Sequence, residues 1–126
     1  MSMFKGETVY VPFDIPATEL SAGTTIEVVS PIAGYVTDLT TIIQTAIVTG
    51  GAITAKIGTT DIVGLSITVA DSATKGTVQT DARTAPSATD YVAAGGRIQI
   101  VPAAGFNGGG AVSGFLTIDS GASPKA

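Results

Sequence analysis

Histidine and cysteine, which carry most acid–base and nucleophilic chemistry near neutral pH, are both absent from this 126-residue sequence. Their absence excludes Ser–His and Cys–His nucleophilic pairs, thiol redox centres, disulfides and ordinary zinc sites. Carboxylate, lysine and hydroxyl chemistry remain. Asp14, Asp38, Asp61, Asp71, Asp81, Asp90 and Asp119 lie far apart, mostly beside turns, and Glu7, Glu19 and Glu27 are equally scattered. Two carboxylates remote in sequence can still flank a glycosidic bond. Clefts of that kind are usually lined with aromatic rings, and here Trp is absent and Tyr scarce. The simpler reading is that Asp fills turns, where its side chain hydrogen-bonds its own backbone.

Three further patterns carry little chemistry. No Asp/Asn-rich run offers the alternating oxygen ligands of a calcium loop. GFNGGG (105–110) has the glycines of a phosphate cradle, but no lysine is near and the next residues read as a strand. SPIAGYV (30–36) resembles the entry to a lipoyl or biotinyl carrier hairpin. Such a domain needs a lysine at the hairpin tip, and the first lysine downstream is Lys56. Lys56 alternates with Ile53, Ala55 and Ile57, which puts it on the wet side of a strand. Pro31 and Gly34 then have a structural reading: one ends a strand and the other lets the chain turn. No catalytic, cofactor-binding or metal-ligating residue is assigned, and no enzyme activity is expected.

Charged residues make up 13% of the chain, with a net charge of −4. Six basic residues in an acidic chain do not make the basic face that nucleic acid requires. No apolar run is long enough for a membrane-spanning helix, and MSMFKGETVY lacks the apolar block of a secretory signal. The polar residues are mainly Thr, Ser and Gly, and Thr suits a pleated surface.

The elements follow from alternation and turn residues. TVYVPF (8–13) reads as an edge strand, because Pro12 cannot donate to a ladder. DIPATELSAG (14–23) reads as a connection and TTIEVVS (24–30) as a strand. YVTDLTTIIQTAIVTG (35–50) fits two patterns. Val36, Leu39, Ile43, Ala46 and Ile47 make a helical stripe, whereas Leu39, Thr41, Ile43, Thr45 and Ile47 make one face of a strand. Thr/Ile enrichment and Gly50-Gly51 favour the strand. Gly50-Gly51 is expected to open a hairpin into AITAKIG (52–58). IVGLSITVA (62–70) follows after a turn at Thr59–Asp61, with a bulge at Gly64. One short helical turn is expected near 71–76, then a loop over 81–90. Arg97 to Val101 and AVSGFLTID (111–119) are the last strands. About seven or eight short strands with glycine-rich turns indicate an all-β fold, a single-domain β-sandwich over 8–119. Residues 1–7 are expected to be an N-terminal arm and 120–126 a flexible tail.

The stretch IEVVSPIAGYVTDLTTIIQTAIVTGGAITAKIGTTDIVGLSITV (26–69) resembles the small capsid decoration, or head-stabilising, proteins of tailed bacteriophages. A Ser-Pro-x-x-Gly turn, a long Thr/Val/Ile strand, a Gly/Ala hairpin and a glycine-broken strand carry the likeness, and VAAGGRIQI (92–100) extends it. The resemblance implies a jelly-roll-like sandwich that sits as a homotrimer on the virion exterior after synthesis in the host cytoplasm. Its implied partner is the major capsid protein, and its role is to stabilise the head. No cofactor, nucleic acid, membrane or small-molecule substrate is implied.

Candidate contact residues are Phe4, Tyr10 and Phe13 near the N-terminus and Phe106 in the glycine-rich loop. Aromatic rings dominate interface hot spots. Two placements fit Tyr10 and Phe13, contact or core of the first strand. Phe106 fits either a trimer or ligand contact, or a ring folded back on the sheet. The alternative function is a head-fibre or receptor-binding module for host-surface glycan, with Tyr35 and Tyr91 as its stacking residues.

Overall fold

The computed structural model describes residues 8–84, 88–106 and 110–120. Nine strands appear among them: β1 (Thr8–Ile15), β2 (Ile26–Val29), β3 (Gly34–Thr45), β4 (Gly51–Ile57), β5 (Thr60–Val69), β6 (Val78–Ala82), β7 (Tyr91–Val92), β8 (Arg97–Pro102) and β9 (Ala111–Asp119). One helix, α1 (Ala17–Ala22), and a 3-10 turn (Ala88–Asp90) complete the described elements. The expected arm over 1–7 and the tail beyond Ser120 lie outside the described residues.

All pairings are antiparallel and form two sheets. The first has the order β1-β9-β3-β6, with β7 pairing the start of β3, and the second has the order β2-β8-β4-β5. The first strand thus pairs with the last, the second with the next to last, β3 with β6 and β7, and β4 with β5. That nesting is one long antiparallel ribbon rolled into two facing sheets, which is the jelly-roll topology. The all-β sandwich read from the sequence is therefore the fold, as a jelly roll.

Alternation builds the core. Val11, Phe13 and Ile15 point inward from β1, and Val112, Leu116 and Ile118 from β9. Ile53, Ile98, Ile100 and Leu65 meet them from the second sheet, all buried. β3 is a strand, and its ambiguity has a structural cause. The ladder with β9 shifts between Val36 and Asp38, so Thr37 is an extra residue. Val36 and Leu39 then face the core three positions apart, which imitates a helical stripe. A second shift lies between Ile43 and Thr45, near the end of the strand.

Four local expectations are corrected. Gly50-Gly51 does not close a β3–β4 hairpin: β3 and β4 lie in different sheets, and the segment crosses between them. The β4–β5 turn is at Gly58 and Thr59, with Gly58 at φ 61°, one residue earlier than expected. Residues 71–76 form turns and no helix, because their backbone groups pair elsewhere. Ser72 N–H donates to Val48 O at 3.0 Å, Ile47 N–H to Ala73 O at 2.9 Å, and Gly76 N–H to Ile43 O at 2.8 Å. The helix lies at 17–22 instead, bracketed by Pro16 and by Gly23 in the left-handed region. Pro before a helix and Gly after it are stop signals that also read as a loop. Finally, β6 occupies part of the expected 81–90 loop and the residues just before it.

The bulge at Gly64 is present. Between the pairs Thr54↔Ser66 and Lys56↔Asp61, β4 contributes only Ala55 while β5 contributes residues 62–65. Gly64 has φ 82°, and a Cβ there would lie 2.5 Å from the Thr84 nitrogen. Glycine is thus required both for the backbone conformation and for the close approach of the chain leaving β6. Thr84 N–H donates to Val63 O at 2.9 Å in that approach.

Candidate interaction face

Three rows of outward side chains cross β1, β9, β3 and β6, and a fourth, Thr8, Asp119, Tyr35 and Tyr91, crosses β1, β9, β3 and β7 at one end. One row is Tyr10, Thr117, Asp38 and Ala82; the next is Pro12, Phe115, Thr40 and Thr80; the third is Asp14, Ser113, Ile42 and Val78. Tyr10 is 61% exposed and Val78 59%. Tyr10 meets Phe115 edge to face, with ring centroids 5.3 Å apart, across a diagonal of the β1–β9 ladder. Thr40 and Thr80 share a hydrogen bond of 3.1 Å, and Ser113 Oγ donates to Asp14 at 2.6 Å. The sixteen side chains include three carboxylates, Asp14, Asp38 and Asp119, and no lysine or arginine.

The second sheet is different. Its outward side chains include Glu27, Gln99, Lys56 and Asp61 in one row, with Arg97 beside Val29. Arg97 pairs with Glu27 at 3.0 Å and Lys56 with Asp61 at 3.8 Å. Each cation on this face has its anion on the same face, as on an ordinary solvated surface. An open cleft of about 430 Å³ lies where β5 bulges away from β4, lined by Thr54, Asp61, Gly64 and Ser66 among others. Its one lining carboxylate, Asp61, is the partner of Lys56.

The predicted contact residues separate. Tyr10 stands on the exposed face just described. Phe13 is 6% exposed and belongs to the core. It lies across Gly114, where a Cβ would come within 2.9 Å of the Phe13 Cζ. Phe106 is 3% exposed and packs over Gly51, 3.1 Å from where a Cβ would stand. In this chain Phe13 and Phe106 are therefore core residues, withdrawn from contact by burial. Phe4 lies outside the described residues. Phe115, Ile42 and Val78, which sequence reasoning did not select, join Tyr10 on the face. Phe115 could have been found: Leu116, Ile118 and Val112 set the inward phase of β9, and Phe115 is out of phase with them.

Tyr35 and Tyr91 are brought together as a cross-strand pair at one end of the first sheet, with ring centroids 5.4 Å apart. The Arg83 guanidinium stands 5.8 Å from the Tyr35 ring centre and forms an ion pair of 3.2 Å with Asp90, which is fully buried. This pair ties the end of β6 to the 3-10 turn.

The open edges are treated unequally. β5 and β6 are the neighbouring edges of the two sheets on one side of the sandwich. Asp81 accepts from Ser66 N–H at 2.9 Å, and Gln79 Nε2 donates to Thr68 O at 2.9 Å. The inward side chains of β6 thereby occupy main-chain groups of β5 that a foreign strand would otherwise use. On the other side, Pro12 interrupts the edge strand β1.

Comparison with family models, curated proteins and solved structures finds no match to this chain.

Proposed function

We propose that this chain is a structural component of a phage virion, which seats on the outside of the capsid as a homotrimer and stabilises the head. Its partner is the major capsid protein, and it transforms no substrate. The observation that carries this reading is the contrast between the two sheet faces. One has matched ion pairs and suits water. The other carries the outward aromatic rings of the described strands, with Tyr10 61% exposed, which suits a protein surface. The resemblance of residues 26–69 to capsid decoration proteins supplies the class of partner. The jelly roll is a fold shared by many unrelated functions, so it adds a suitable scaffold and no more.

The test has two steps. The mass of the purified protein in solution is measured, and the protein is then mixed with expanded, undecorated heads. A trimer that adds ordered density to the heads is expected. A monomer that leaves the heads bare overturns the reading. Deleting residues 2–6 in the same assay tests the arm and Phe4, and undiminished binding removes them from the contact.

The paired rings of Tyr35 and Tyr91 favour one other reading, a module that stacks host-surface sugar on an aromatic platform. A glycan array separates the two, since specific retention abolished by Tyr91→Ala belongs only to the second.

A further inference from the structure

We infer that the outer face of the β1-β9-β3-β6 sheet is the docking face, and that the protein surface opposite it is apolar at its centre and carries lysine or arginine against Asp14 and Asp38. The inference rests on the shell-binding reading above and adds the face, the orientation and the chemistry of the partner.

Three observations carry it. First, the outward aromatic rings of the described strands stand here: Tyr10 and Phe115 form one edge-to-face unit with Pro12 beside it, and Tyr35 and Tyr91 pair at one end, whereas the second sheet exposes only separate valines, Val29 and Val63. The other sheet presents mainly polar and ion-paired residues and is the side left to water. Second, the charge on this face is of one sign. Asp14 is hydrogen-bonded to Ser113, but no lysine or arginine stands among the sixteen outward side chains of the face, and Arg83, which stands beside Tyr35, is ion-paired with Asp90. A complementary surface supplies that cation. The same charge disfavours two alternatives. Two copies meeting face to face around a two-fold axis would bring acidic groups together, and an anionic membrane or nucleic acid would be repelled. Third, the face is small. Strands about 4.8 Å apart rising about 3.4 Å per residue give four strands and four rows a footprint of roughly 500 Å². A stable interface buries about 800 Å² on each partner. One copy alone is therefore a weak binder, and firm seating requires several linked copies acting together.

Sedimentation with undecorated heads tests this directly, using wild type, Tyr10→Ser, Asp38→Lys and the second-sheet control Lys56→Thr. Solution mass and thermal unfolding first establish that each variant is folded and assembled like wild type. The face variants are expected to bind at least about tenfold more weakly. The control stays within about twofold, and wild-type binding weakens as salt is raised. Wild-type binding with unchanged Tyr10→Ser and Asp38→Lys affinities overturns this inference and leaves the shell reading standing. Heads left bare by wild type overturn both.

Discussion

At the scale of single residues, two positions show how tightly the interior is determined. Thr41 points into the core from β3, is 1% exposed, and its hydroxyl has no hydrogen-bond partner. A buried hydroxyl without a partner costs about 1–3 kcal/mol. Thr41→Val keeps the shape and removes the polar atom, so it is expected to stabilise the fold by about 1 kcal/mol in chemical denaturation. Gly64 is the opposite case. Its positive φ and the Thr84 backbone against it leave no room for a side chain. Gly64→Ala is expected to cost about 3 kcal/mol, read as a lower denaturation midpoint. The same phase logic decides the aromatic residues. In TVYVPFDI, Val11, Phe13 and Ile15 share one face and Tyr10 the other, so their separation was legible in the sequence. The placement of Phe106 was not, because it depends on Gly51, a residue 55 positions away that leaves space for the ring.

At the scale of elements, strands with an apolar phase were readable and polar ones were not. β4 and the second half of β5, from Leu65 to Val69, alternate plainly. β6 reads VQTDA, and its inward residues, Gln79 and Asp81, are polar because they face the edge of β5 and not the core. Nothing local distinguishes such a strand from a loop. The Gln79→Ala/Asp81→Ala double variant removes both caps. It is expected to lose about 2 kcal/mol of stability, at about 1 kcal/mol per hydrogen bond. It also frees an edge, so light scattering should show concentration-dependent association beyond that of wild type. The Arg83–Asp90 pair binds β6 to the 3-10 turn from a buried position. Asp90→Ala removes this 3.2 Å ion pair from a largely buried guanidinium and is expected to cost about 3–5 kcal/mol. A loss below about 1 kcal/mol would contradict that structural role.

At the scale of the whole molecule, the jelly roll places β1 against β9 and β2 against β8, pairings that join the two ends of the chain. No local pattern encodes them, which is why the class of fold was readable and the strand order was not. It is this long-range order that sets Phe115 and Thr117 between β1 and β3 and so assembles the face from distant segments. The most direct measurement is a density map of undecorated heads mixed with the protein. Three-fold clusters of sandwiches are expected, each with Tyr10 and Phe115 against basic and apolar residues of the shell and the Arg97–Glu27 face toward solvent. Bare heads, or sandwiches seated by the second sheet, would contradict it.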